Sequence, residues 1–219
     1  MKERNITITL EKAREWYNSG NATLKEVALQ AFSKEELNRF DFTKIRTFED
    51  ALTALKYNEC SKVFIRNNIN DTSMYSRASA AMLKLNIIRK ALNLSLDLHL
   101  TKDSENSYTY YPYNPFITKN STYYDSMVKE HYMEKIGKIN SEGKEYYVFG
   151  NEVSTKVNKG LGNFNQYDQF GNADADMGFL GCATKEIAKH FSKYFGMLIT
   201  KAKYGDIVDF EIIEKKYEE

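Results

Sequence analysis

Residues 72–93 carry the pattern that most limits what this chain can fold into. Met74, Ala78, Ala81, Leu85, Ile88 and Leu92 recur at alternating spacings of four and three, and Leu83, Ile87 and Ala91 add a second apolar line. At 3.6 residues per turn the two sets form two apolar faces of one helix. Such a helix has to be covered on two sides, so the pattern predicts a central helix with other elements packed against it. Its heptad-like seam is short, which fits an intramolecular core better than a coiled-coil dimer.

Shorter helices precede it. An alternating stretch at Ile6, Ile8 and Leu10 reads as a short strand. Thr9 then caps a helix carrying Leu10, Ala13 and Tyr17, which ends at Ser19-Gly20. Asn21 caps the next, with Leu24, Val27, Ala28 and Ala31 on one face. Ser33 and Glu36 have the capping-box spacing, and Thr47 caps a helix burying Phe48, Ala51, Leu52 and Leu55.

From about 97 to 180 leucine periodicity gives way to Tyr, Asn, Ser and Gly. Alternation at Leu96, Leu98 and Leu100, the ribbon YTYYPYNPF at 108–116, and the run Lys144 to Val153 suit strands, with a hairpin turn at Asn140 to Gly143. Residues 154–178 read as a long loop. Gly178 to Cys182 reads as a short buried strand, and Thr184 caps a helix with Ile187, Phe191, Tyr194, Phe195, Leu198 and Ala202 on one face. Ile207 to Ile213 is then an edge strand or docked tail. The expected fold is α+β. A helical N-terminal part spans 1–60, and an α+β domain over 61–219 has a small antiparallel sheet packed between two long amphipathic helices, with a Tyr/Asn-rich insertion at about 104–178.

Thirty-one Lys and Arg against thirty Asp and Glu leave a net charge of +1, so no bulk field draws the chain to nucleic acid or anionic lipid. The N-terminus lacks a signal-peptide apolar core, and no run approaches the roughly 20 residues of a membrane span. Cys60 and Cys182 fit neither a disulfide framework nor a CxxC site and read as reduced, buried thiols. His99, His131 and His190 stand in no metal-ligand spacing, and His190 reads as a hydrogen-bonded interfacial histidine. GxSxG, GxxxxGK[ST] and HExxH are all missing from the sequence. Asn172, Asp174 and Asp176 resemble the start of a calcium loop, but the glycine comes one place late and Ala183 stands where the bidentate Glu belongs. No catalytic residue, cofactor site or metal site is therefore assigned.

The ribbon has three readings. Its tyrosines supply amphipathic contact area for a protein interface. They can also stack on sugars or bases, although Ser104 to Phe116 contains no Lys or Arg to accompany them. Alternate tyrosines can instead simply form the apolar face of a sheet. The candidate interaction surface comprises Tyr108, Tyr110, Tyr111, Tyr113 and Phe116, followed by Tyr123, Tyr124, Tyr146 and Tyr147.

Five blocks in consistent order cover roughly half of the chain: ITLEKAREWYNSGNATLKEVALQAF at 8–32, FTKIRTFEDALTAL at 42–55, AAMLKLNIIRKALN at 80–93, YYP at 110–112 and LGCATKEIAKHFSKYF at 180–195. Together they resemble a family of mostly uncharacterised proteins of Bacteroidales phages and prophages, including crAss-like phages. The resemblance offers no catalytic residues to carry over. The chain departs from the family pattern in the link at 94–109, which lacks a Trp-containing segment, and in an expanded stretch from Ile117 to Met177.

The resemblance, with the missing catalytic motifs, implies a phage-encoded, non-enzymatic binding or structural protein: a virion component such as a capsid-decoration or head-fibre subunit, located in the virion or the host bacterial cytoplasm. Its partners would be other phage structural proteins or itself, with no membrane. The alternative is a nucleic-acid-binding regulator using a helix-turn-helix within 9–56 together with Lys84, Arg89, Lys90, Lys189 and Lys193. A dispersed acidic site at Asp168, Asp174 and Asp176 is the remaining enzymatic reading.

Overall fold

Side-chain caps fix where the helices begin. The structure, a computed structural model, describes residues 8–38, 40–94, 108–118, 121, 133–141, 143–157 and 180–218. Thr9 accepts from the Lys12 N–H ahead of α1 (Leu10–Asn18), and Asn21 accepts from Thr23 and Leu24 ahead of α2 (Ala22–Ala31). Ser33 and Glu36 bond reciprocally at the start of α3 (Lys34–Asn38). These are the expected cap positions, each satisfying backbone donors that a helix leaves unpaired in its first turn.

Contacts divide the chain into two compact units, Met1–Asp41 and Phe42–Glu219. In the first, Ala13, Ala28 and Leu37 form a buried centre flanked by Ile8, Leu10, Trp16, Tyr17 and Phe32. The Arg14 guanidinium donates to the Glu36 carbonyl at 3.0 and 3.1 Å, joining α1 to α3. The strand expected around Ile6 lies largely outside the described residues.

The second unit opens with a 3₁₀ turn (Phe42–Lys44) and α4 (Phe48–Ala54), whose cap is a complete box between Thr47 and Asp50. Helix α4 packs on α6 (Arg77–Leu92), so this division falls after Asp41 rather than near residue 60. Between them lies α5 (Glu59–Ile69), capped by Asn58. The central helix starts at Arg77, not at 72, because Asp71 folds the preceding residues into a turn. Its carboxylate accepts from the Ser73 N–H at 2.9 Å and its carbonyl accepts from Met74 and Tyr75. Ala81, Leu85, Ile88, Ala91 and Leu92 are buried on α6, whereas Leu83 on the second apolar line is 37% exposed.

The expected α+β class is realised, with two small antiparallel sheets. One pairs β1 (Tyr108–Tyr113) with β5 (Glu152–Val157). The other has the order β2-β4-β3-β6, with β2 (Phe116–Thr118), β3 (Glu134–Ser141), β4 (Lys144–Gly150) and β6 (Glu211–Lys215). Leu96 to Leu100 lie outside the described residues, as does the long-loop stretch 158–179. Residues 154–157, expected as loop, belong to β5. Cys182 forms a single bridge with Tyr110, and Gly178 and Phe179 of the short strand expected there lie outside the described residues.

The two sheets are halves of one bent ribbon. Strand β1 runs into β2 through Asn114-Pro115, and β4 runs into β5 through Asn151, whose φ is +67°. Tyr113 faces Glu152 whereas Phe116 faces Val148, so the β4–β5 side carries one extra residue at the bend, as in a β-bulge.

Helix α7 (Lys185–Tyr204), capped by Thr184 as expected, packs on α6 and also on β1, β3, β4 and β5. At the bend the Asn114 amide donates to the Phe149 carbonyl at 2.9 Å and to the Ser192 carbonyl of α7 at 2.8 Å. The Ser192 hydroxyl donates back to the Tyr113 carbonyl at 2.7 Å. Glycine is required on both sides of this contact. A Cβ on Gly150 would lie 2.6 Å from the Ser192 carbonyl oxygen, and one on Gly196 would run into the Asn114 amide and Ile136 Cδ1. Gly196→Ala is therefore expected to lower stability by about 1–3 kcal/mol. In a double-mutant cycle by urea unfolding, Asn114→Ala should relieve part of that cost, with a coupling of at least about 0.5 kcal/mol. Strict additivity would contradict the proposed steric origin.

Candidate interaction surface

Strand alternation sends the ribbon's aromatic side chains to opposite faces. Phe116 and Tyr146 are half-buried against Ile136, Ile139, Val148 and Met197, on the side that meets α7. Phe116 makes edge contacts with Tyr146 at 5.7 Å and with Tyr204 at 5.4 Å between ring centroids. Tyr113 joins a second cluster with Met133, Tyr147, Phe149 and Ile117. Tyr147 is only 8% exposed, and the Lys135 ammonium stands 4.8 Å from its ring centroid.

Tyr110 and Tyr111 are half-buried on β1, which places Tyr110 against the Cys182 backbone and Tyr111 opposite Ser154. Tyr108 pairs with Val157 through the backbone. Tyr123 and Tyr124 lie outside the described residues. The structure thus brings the named aromatics together in two groups, Phe116 with Tyr146 and Tyr113 with Tyr147. In the first group both rings are half-buried; in the second Tyr113 is half-buried and Tyr147 buried.

A further aromatic line was not legible in the sequence. Phe42, His190, Tyr194 and Tyr217 pack in succession, with centroids 5.5, 4.5 and 4.7 Å apart. His190 and Tyr194 are one turn apart on α7, the others come from the two ends of the second unit, and no local pattern connects them. His190 Nε2 lies 2.6 Å from the Ile45 carbonyl oxygen, so that nitrogen carries the proton and donates it, in keeping with an interfacial histidine.

Beside this line Glu134 accepts from Lys193 at 2.9 Å, from Lys216 at 2.5 Å and from the Tyr217 hydroxyl. Burial alone would raise the Glu134 carboxyl, but the bonds from Lys216, Tyr217 and Lys193 outweigh it and bring the group down to about 2. The Lys193 ammonium, bonded to Glu134, is correspondingly raised. Glu134 is therefore ionised throughout the neutral range and committed to pairing β3 with α7 and the C-terminal tail. Cys182 is fully enclosed, and burial pushes its thiol up to about 12, which removes it as a thiolate nucleophile at neutral pH. Cys60 corrects the expectation of two buried thiols, since it is exposed on α5.

Helix α5 carries the most open apolar face. Cys60, Val63, Phe64 and Asn67 follow the i, i+3, i+4, i+7 spacing of one face, with Val63 47% and Phe64 69% exposed. The cations on this helix are engaged: Lys62 with Glu59 at 2.9 Å, and Arg66 with both Glu49 carboxylate oxygens. An Asn cap followed by Val63-Phe64 was the available signal for this helix, whose Ile69 is buried while Val63 and Phe64 face outward.

Among the described residues no cluster of three or more His, Cys, Asp or Glu is placed to hold a metal ion, and no helix is long and apolar enough to cross a membrane. Asp168, Asp174 and Asp176 lie outside the described residues. Comparison with family models, curated proteins and solved structures gave no match to this chain.

Because Glu134 is depressed from its ordinary 4.5 to about 2, its contribution is complete above pH about 4.5 and is lost as pH falls through about 2. Glu134→Gln should cost about 1–2 kcal/mol at pH 7, a figure that allows for solvent screening at this partly exposed site. The gap between variant and wild type, measured by chemical denaturation, should close between pH about 4.5 and 2.

Proposed function

We propose that the chain is a non-catalytic binding and structural protein of a phage particle, a capsid-decoration or head-fibre subunit held to its neighbour by apolar contact. The observation that carries this reading is the open face of α5. Phe64 and Val63 add little to the interior yet are held on a capped, ion-paired helix, which suits an anchor for a partner protein. A phenylalanine buries about 150–250 Å², against roughly 800 Å² per partner in a standard interface. The α5 face is thus the centre of a contact, and further surface must join it. The virion setting rests on the family resemblance of the five sequence blocks.

The alternative, a nucleic-acid-binding regulator with a helix-turn-helix within 9–56, would have α4 followed after a short link by α5. In such a motif the second helix enters the major groove. Here that helix presents Val63 and Phe64 outward, and its Lys62 and Arg66 are paired with carboxylates, so it lacks the cationic face that phosphate contact needs. In the first unit α3 has five residues, about 7 Å of helix, too short to read a groove.

Mass spectrometry of purified particles should detect the protein, and its consistent absence from virions would remove the reading. Val63→Ser with Phe64→Ser should leave stability within about 0.5 kcal/mol, as expected for exposed positions. The same pair should reduce incorporation into particles by about tenfold or more, the equivalent of one hot-spot residue. Gel shifts at low salt should show no binding to DNA or RNA.

A further inference from the structure

Helices α5, α6 and α7 leave a cleft of about 400 Å³ beside the start of α6. Small-molecule sites usually occupy about 300–1,000 Å³. The hollow has a sequence cause. Ala80 and Ala81 stand on α6 between the longer Arg77 and Lys84, so two small side chains open a gap against Leu198 of α7. Ile69, Ala81 and Leu198 are buried and make its apolar floor.

Three of the four charged groups in the lining are engaged within the fold. Asp206 accepts from the Ser76 hydroxyl at 2.5 Å and from the Ala78 N–H at 3.0 Å, bonds that hold its carboxyl below the usual range and occupy the start of α6. Arg77 donates to the Ile207 carbonyl, one residue further along the chain, at 3.3 Å. Lys84 stands over the Phe48 ring, 5.6 Å from its centroid, and has a further interaction of its own. The groups left open are mainly neutral. The turn at Asp71 brings Asn70, Thr72 and Tyr75 to the cleft, and among the described residues their side-chain amide and hydroxyls bond no other group. Each of the three both donates and accepts, as a sugar hydroxyl does.

We propose that this cleft binds one uncharged pyranose ring, its hydroxyls bonded by Asn70, Thr72 and Tyr75 with Lys201 as a further donor, and its C–H face laid on Ala80, Ala81 and Leu198. A sugar matches both parts of the site, having a rim of hydroxyls and an apolar face. A wholly apolar ligand would strip water from the three polar side chains and return nothing. The cleft uses neither Val63 nor Phe64, so the inference goes beyond the α5 contact and stands apart from the virion reading.

The test is an NMR titration of the full chain with glucose, galactose, mannose and N-acetylglucosamine, each free and as its methyl glycoside, with cyclohexanol as control. At least one sugar should bind saturably with a Kd of about 10 mM or tighter, shifting the resonances of Thr72, Tyr75 and Ala80. Binding kept by the methyl glycoside assigns the end of a glycan as the source, and binding lost assigns a free monosaccharide. Thr72→Val with Tyr75→Phe removes two hydroxyls at nearly constant volume and should weaken the sugar by about tenfold or more. Ala80→Leu, at a half-exposed position, should fill the hollow and abolish binding. The 6-phosphate of the bound sugar should gain less than about tenfold, since the lining offers no open cationic cluster. Retained thermal midpoints would show that the variants fold, and Tyr75→Phe alone serves if the double variant does not. Four results would overturn the proposal: no saturable response to any sugar, sugar binding untouched by loss of the hydroxyls, cyclohexanol binding as tightly as the sugars, or a larger gain from the phosphate.

Discussion

The second unit depends on one buried amide. Asn114 sits where the β-ribbon bends and donates one hydrogen to the ribbon's own Phe149 carbonyl and the other to Ser192 of α7. The second bond needs helix and strand to approach almost backbone to backbone, and Gly150 and Gly196 provide that clearance. The α7 carbonyl involved belongs to a residue whose hydroxyl is turned onto Tyr113, so helix and ribbon are tied from both directions. Each charge-neutral bond of this kind contributes about 1 kcal/mol, but a buried carbonyl stripped of its donor costs more, which makes the joint intolerant of partial change.

The distribution of aromatic residues follows from strand alternation, which sends successive side chains to opposite faces. Phe116 and Tyr146 join one cluster, with Met197 of α7, and Tyr113 and Tyr147 join the other. In the chain's densest aromatic stretch Tyr110, Tyr111, Tyr113 and Phe116 are half-buried, and more open apolar surface appears at Val63 and Phe64.

Much of the local structure was legible in the sequence, since helix caps are read within four residues. Thr9, Asn21, Ser33, Thr47 and Thr184 all act where their spacing placed them. The start of the central helix was misplaced because an apolar residue, Met74, continued the periodicity, while Asp71 and Ser73 diverted the backbone into a turn by side-chain bonds that periodicity does not register. The Glu134 cluster had no local signal at all, as it joins residues 134, 193, 216 and 217. Helix α5 escaped for a different reason: its apolar residues are split between an exposed pair, Val63 and Phe64, and an inward pair, Ile65 and Ile69, so they form no single stripe.

The line of Phe42, His190, Tyr194 and Tyr217 has a mechanical consequence. It brings the point where the chain enters the second unit and the point near which it ends onto the same two turns of α7, within three ring contacts of each other. Tension applied between those ends would fall first on this aromatic line and on the Glu134 ion pairs, then peel β6 from β3 one bond at a time. The joint at Asn114 would carry load only after both had given way. A fold wired like this yields gradually at its margin while its centre stays intact.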